Sequence, residues 1–184
     1  MQTKRIAFSA IFCALIFVAT AFIKVPVAIG YFNLGDAFLL ISAVCCGPFG
    51  GAIGGMIGCA LADVIGGYAV YAPFTLVVKG VEGLICGLLF LMIKRNEKGY
   101  FLRTFAAFIV SLLWMVAGYF ITNWILYGIG EAVSVGLPCD FLQAGMSLVV
   151  ASLIFTALAN IPYVVRTFNL KGFEEPKKDE KDAK

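Results

Sequence analysis

Asp63, Lys79 and Glu82 interrupt apolar runs that are long enough to cross a bilayer. A charge near the bilayer centre costs about 3 kcal/mol or more, so such residues face a bundle interior, a cavity or a partner. The chain around them is 61% hydrophobic and 14% charged, whereas a soluble domain is nearer half apolar and about a quarter charged. No polar stretch is long enough to bury a core of its own, so the 184 residues read as one compact membrane domain. A polar interior in such a domain points to the handling of a polar solute.

A span needs about 20 apolar residues, fewer when the helix is packed among others. Helices are expected near 6–23, 36–47, 49–66, 73–94, 103–127 and 139–164. Gly47-Pro48 separates the short second and third, because proline disfavours helix for the residue before it and fits the first turn after it. The alternative is one kinked helix over 36–66, which leaves five spans. Charge decides between the two. Lys4 and Arg5 precede the first span, Lys94, Arg95, Lys98 and Arg103 flank the fourth-to-fifth loop, and Arg166, Lys171, Lys177, Lys178, Lys181 and Lys184 follow the sixth. Six spans put these groups on one side, which the positive-inside rule makes cytoplasmic. Only Lys24, in an outer loop, and Lys79 stand apart. The expected fold class is therefore an all-α membrane protein, a six-transmembrane-helix bundle with both termini cytoplasmic. Residues 1–166 are expected to form the six-helix membrane domain. Residues 167–184 form a charged cytoplasmic tail, whose mixed charges bury no apolar area and are expected to be disordered.

Ala19-Thr20-Ala21 faintly imitates a signal-peptidase site, but the run Ile6–Ile23 exceeds a usual signal h-region and reads as a retained first helix. The chain has no histidine, which removes imidazole from acid–base catalysis and metal ligation. Five of its cysteines, Cys13, Cys45, Cys46, Cys59 and Cys86, sit in apolar runs; Cys139 does not, and no C-x-x-C occurs. Buried thiols at such spacings behave as small hydrophobes. No metal, cofactor, catalytic residue or nucleic-acid partner is expected, and the protein is not read as an enzyme.

Gly50, Gly54 and Gly58 share one helix face, as do Gly51 and Gly55, and Gly83 and Gly87 repeat the spacing in the fourth span. Such faces let helices approach closely in lipid, within one chain or between copies. Ala10 and Ala14 form a similar small pair on the first span, suited to packing inside the chain or against another protein.

Polar and aromatic residues gather at the outer side. Tyr31, Phe32, Asn33, Asp36, Tyr68, Tyr71 and Phe74 come from the first half, and Tyr119, Asn123, Trp124, Tyr127, Asp140, Phe141 and Gln143 from the second. The aromatics suit either an interfacial belt or a pocket wall, and Asp36 and Asp140 also suit helix caps. Tyr119, Asn123 and Tyr127 recur every four residues along one face of the fifth span. Lys79 lies six residues beyond Pro73, about 9 Å down its helix. Aromatic walls with a few placed polar groups suit a small, flat, polar molecule. The candidate binding residues are Asn33, Tyr71, Lys79, Tyr119, Asn123, Tyr127, Asp140 and Gln143. Asp63 and Glu82 are either ligand-facing or partners of Lys79 in a structural ion pair.

Several of these pieces resemble the substrate-binding (S) component of energy-coupling factor (ECF) transporters, which take up vitamins in prokaryotes. They are Asn33-Leu34-Gly35-Asp36, Gly47-Pro48, the glycine-rich third helix, Ala60-Leu61-Ala62-Asp63, Tyr71-Ala72-Pro73-Phe74-Thr75, Lys79-Gly80, Tyr127-Gly128 and Pro138-x-Asp140-x-x-Gln143. The branch they look most like serves riboflavin, hydroxymethylpyrimidine and vitamin B6. Ala10-x-x-x-Ala14 fits the motif by which such components contact their transmembrane partner. The resemblance implies a ligand enclosed near the outer surface by the loop Lys24–Gly35, membrane lipid around the bundle, and transport driven by a transmembrane (T) subunit and two ATPase subunits. The chain has no G-x-x-x-x-G-K-[ST] of its own to cradle a nucleotide. Asp140 stands where that branch often has asparagine, and an acid there favours a ligand with an amine or a protonated ring nitrogen. The alternative is a stand-alone ion-coupled secondary transporter or small permease, with Asp63 or Glu82 as the coupling site.

Overall fold

The computed structural model describes residues 2–26, 28–94 and 99–170, with side chains from residue 6 onward. It is a helical bundle: α1 (Gln2–Phe22), α2 (Gly35–Cys46), α3 (Pro48–Ile65), α4 (Ala72–Leu91), α5 (Tyr100–Tyr127), a single turn α6 (Ile129–Glu131), α7 (Leu137–Ala159) and α8 (Pro162–Phe168). α3, α4, α5 and the stretch Ile129–Ala159 are each long and apolar enough to cross a membrane, while Ile6–Phe22 and Gly35–Cys46 are apolar but shorter. Between α1 and α2 the chain makes a small hairpin of β1 (Lys24–Pro26) and β2 (Tyr31–Asn33), paired antiparallel with Val25 opposite Phe32.

The break at Gly47 follows from its neighbours. Gly47 takes φ +84°, and Pro48 opens α3 at a position where its missing N–H leaves no bond unmade. The chain therefore forms two helices here and not one kinked helix. Phe49, Ile53, Ile57 and Leu61 line the exposed face of α3 at a spacing of four, as a lipid-facing stripe requires. The opposite faces are glycine and are covered within the chain. A Cβ on Gly54 would come within 3.3 Å of Ile16 on α1, and one on Gly83 of α4 would meet the backbone of Gly51 and Ala52. Small residues thus let α3 run backbone to backbone against its neighbours.

Two expectations need correction. The expected helix 139–164 begins earlier and ends sooner. Gly128 (φ +91°) breaks α5, after which α6 and a π-helical turn over Ala132–Gly136 run straight into α7. Pro138 has no N–H to close an ordinary turn, and a widened turn just before it absorbs that loss. At the far end Ile161 is extended ahead of Pro162, which ends one helix and opens the next. Order also extends past residue 166. α8 reaches Phe168, and Leu170 is fully buried in the core. The tail from 171 onward, like Arg95 and Lys98, lies outside the described residues.

The apolar core concentrates at one end of the bundle, where Phe90, Tyr100, Phe108 and Phe155 meet beneath Leu112, Met115 and Ile41. Phe8 of α1 packs on Phe168 of α8 with ring centres 4.9 Å apart, so the start and finish of the bundle meet. The other end is polar.

Candidate functional site

The deepest part of the polar end is built on Lys79. It lies about two turns into α4, 1% exposed, and its Nζ bonds Asp36 Oδ1 on α2 and, at 3.1 Å, Glu82 Oε2 one turn along its own helix. Asp36 and Glu82 have no exposed surface. Asp36 is therefore no helix cap: Leu34 holds that position and makes no side-chain cap bond. Nor is Asp63 the partner of Lys79. The second oxygen of Asp36 accepts from Gln143 Nε2 of α7 (2.7 Å), and Gln143 Oε1 accepts from the Asn33 backbone N–H (2.9 Å). Asn33 Oδ1 in turn accepts from the Gly35 N–H (2.8 Å). One chain of bonds thus ties α4, α2, α7 and the hairpin. Removing a single member leaves its partner buried and unpaired, which is where such networks draw their stringency.

Above this cluster the rim is aromatic. Tyr31 of β2 donates to Asp63 Oδ1 at 2.6 Å and packs at a tilt against Tyr68, ring centres 4.7 Å apart, with the Lys24 ammonium over both rings at 5.1 and 5.6 Å. Burial, then the adjacent Asp63 carboxylate, pushes the Tyr31 phenol above its ordinary range. It therefore stays a donor, which holds the hairpin over the end of α3. Tyr71, just before α4, donates to Asn123 Oδ1 of α5 at 2.8 Å, and its phenol is likewise raised, mainly by burial. Thr75 and Tyr119 share a hydrogen bond of 3.0 Å, and Lys79 Nζ lies 5.1 Å from the Tyr119 ring centre. Gly30 is left-handed (φ +75°), and a Cβ there would sit 3.3 Å from the Tyr71 hydroxyl, so the hairpin turn and Tyr71 are fitted together.

These groups surround a cavity of about 470 Å³, its open mouth included. Its wall takes Asn33 and Tyr31 from the hairpin, Tyr71, Thr75 and Lys79 from the start of α4, Tyr119 and Asn123 from α5, and Asp140 and Gln143 from α7. Seven of the eight expected binding residues thus come together. Tyr127 does not line it: it is 43% exposed, its ring centre lies 6.2 Å from that of Tyr71, and its hydroxyl is close enough to help raise the Tyr71 phenol. Asp140 lies within a helix that is continuous from Ile129, so it caps nothing either. Asp63 lines the cavity, whereas Glu82 lies on the far side of Lys79 and does not. Thr20, Cys59 and Thr75 also line it. Of these, Thr75 was readable, because it shares a helix face with Lys79 at a spacing of four. Thr20 and Cys59 are small, near-neutral side chains with no signal in an apolar run. Ala10 and Ala14 are exposed on α1, remote from the cavity.

Residues 1–160 match the family described as the ECF-type riboflavin transporter, S component. The chain is 29% identical over 175 residues to the thiamine precursor transporter HmpT of Lactococcus lactis subsp. cremoris (strain MG1363), covering 94% of each chain. It is 41% identical over 128 residues to an uncharacterized protein of Pyrococcus woesei, covering 70% of this chain and 82% of that one. Its fold matches a solved S component of a bacterial ECF transporter with a TM-score of 0.65 at 22% identity, covering 87% of this chain and 98% of the other. With a membrane helical bundle, a polar cavity at one end and a family match over most of its length, the protein belongs to the S components of ECF-type transporters, a family of membrane transport subunits and not of enzymes.

Proposed function

We propose that this protein is the high-affinity substrate-binding subunit of an ECF-type importer for a small water-soluble vitamin or precursor of pyridine or pyrimidine type. Vitamin B6 and hydroxymethylpyrimidine are the leading ligands and riboflavin the third. The carrying observation is the cavity: an otherwise apolar bundle gathers its buried charges at one end around a hollow with tyrosine walls. Such a wall fits a flat polar ring. The full-length similarity to a protein named as a thiamine precursor transporter favours a pyrimidine over the flavin in the family's description.

The bundle crosses the prokaryotic cell membrane six times in this reading, with both termini cytoplasmic. The basic residues gathered on one side support it, as does the contact between Phe8 and Phe168 at the ends of the bundle. Ala10 and Ala14, exposed on α1, offer a small-residue face to a T subunit, and two ATPase subunits supply the energy. Ligand recognition falls to Asn33, Tyr71, Lys79, Tyr119, Asn123, Asp140 and Gln143.

A thermal-shift screen of B vitamins and their precursors on the purified protein tests this reading. The true ligand stabilises the fold by RT ln(1 + [L]/Kd), about 2.7 kcal/mol at a hundredfold excess over Kd. Absence of any shift across the set contradicts it. Uptake in proteoliposomes lacking T and ATPase subunits contradicts the partner assignment.

A further inference from the structure

The polar atoms of the cavity do not balance. Asp63 Oδ2 and Asp140 Oδ2 are both buried without a hydrogen-bond partner, and both residues line the cavity. Asp63 is 5% exposed; Tyr31 takes its other oxygen, and the Thr75 hydroxyl beside the carboxyl is already engaged with Tyr119. The Lys79 ammonium is bonded to Asp36 and Glu82, so it is not available to neutralise these two acids by contact. Glu82 Oε1 is also unpartnered, but it lies away from the cavity and plays no part here. Buried carboxylate oxygens without donors are rare because each is costly, and an orphaned pair at one hollow needs an account. A ligand that brings the donors supplies one.

We infer that the ligand is an amino-substituted heteroaromatic ring, in its simplest form an aminopyrimidine, held through its N–H groups by Asp63 and Asp140. The inference rests on the carrier reading and narrows its substrate class. Two acceptors on α3 and α7 call for a molecule with donors on more than one edge. The tyrosine walls call for a flat one. A ring amino group carries two N–H donors. When the adjacent ring nitrogen is protonated the two groups form a fork that meets a carboxylate bidentately, as a guanidinium does. A hydroxyl in the same place gives one hydrogen and brings lone pairs. The carbonyl-rich edge of a flavin brings mostly acceptors, which oppose the unpaired oxygens already there.

Calorimetric titration of the purified full chain in detergent tests this. The probes are 4-amino-5-hydroxymethyl-2-methylpyrimidine, its 4-oxo counterpart, pyridoxine and riboflavin. The amino compound is expected to bind at least about 100-fold more tightly than the oxo compound, because a site built to pair a donor rejects the analogue lacking it. Asp140→Asn and Asp63→Asn keep shape but turn half of each acceptor into a donor. In either variant that remains folded by circular dichroism, the amino-to-oxo ratio is expected to fall below about tenfold. A merely structural role would weaken both ligands equally and leave the ratio intact, which overturns the inference. Equal affinity for the two pyrimidines in the unmodified protein also overturns it, as does tighter binding of pyridoxine or riboflavin; both results leave the carrier reading standing. Binding of none of the four removes the carrier reading along with it.

Discussion

The same helices make opposite ends by different physics. Where α4 finishes, α5 begins and α7 finishes, Phe90, Tyr100, Phe108 and Phe155 meet with centroids 6.0 to 6.4 Å apart, mostly edge to face. Where α4 begins and α5 finishes, the helices hold Lys79, Tyr119, Asn123 and, on α7, Gln143, around a hollow. The aromatic end is additive: each ring contributes area and a modest edge-to-face term, and a change of volume is felt locally. The polar end is conditional. Lys79 is stable in the interior only because two acids face it, and Asp36 only because Lys79 and Gln143 both reach it. Substitutions are therefore expected to be graded at one end and all-or-none at the other.

The sharpest test of that contrast is Lys79→Met. It strands Asp36 and Glu82, each fully buried, and is expected to cost about 3–5 kcal/mol of stability with loss of ligand response. Adding Asp36→Asn and Glu82→Gln is expected to recover much of the stability but not the binding. Thermal unfolding in detergent, with and without ligand, reads both quantities. A single variant as stable as the parent breaks the comparison, because the polar end would then be as tolerant as the aromatic one.

Gln143→Leu comes next. It is close in volume but leaves the Asn33 N–H and Asp36 Oδ2 without partners. About 2–3 kcal/mol is expected, from one to two unpaired buried groups. Ligand affinity is expected to fall at least tenfold as well, since Gln143 lines the cavity and anchors the hairpin above it. At the other end Phe155→Leu removes part of a ring from the aromatic cluster. It is expected to lower stability by about 1 kcal/mol, with the ligand-induced shift unchanged. A loss of binding in Phe155→Leu would show the two ends to be coupled.

The sequence made the polar end legible in its members but not in its pairing. Lys79, Asp140 and Gln143 stand out because a polar group in an apolar run has few explanations. Which acid meets Lys79 was not readable: Asp36 is 43 residues away on another helix, and Asp63 lies nearer in sequence with the same chemistry. Only the packing of α2 against α4 decides it. Thr20 and Cys59 left no trace, since either side chain is at home in any membrane helix. The break at Gly47 was legible because glycine followed by proline has a strong local meaning. The π-helical turn before Pro138 was not, because a proline after an apolar run reads as a helix start, whereas here the chain is already helical from Ile129 and widens to admit it. Leu170 was assigned to the tail because its neighbours are charged. A single apolar residue past a helix end docks only if the fold offers it a place, which α8 does.

The smallest expected effect falls on Tyr127, and it tests where the polar end stops. Periodicity puts Tyr127 on one face with Tyr119 and Asn123, yet the helix ends at it, and the next residue, Gly128, turns the chain away. Its ring is left beside Tyr71 and 43% exposed, outside the cavity wall. Tyr127→Phe keeps the ring and drops a part-exposed hydroxyl whose neighbour, Tyr71, keeps its own bond to Asn123, so stability is expected to stay within about 0.5 kcal/mol and ligand affinity within about twofold. The same change at Tyr71, which removes the donor to Asn123, is expected to exceed both limits, at about 1 kcal/mol for a lost partly buried hydrogen bond. If the two variants instead lose affinity equally, the wall of the cavity extends a full turn beyond Asn123, and the boundary between conditional and tolerant positions moves outward to the end of α5.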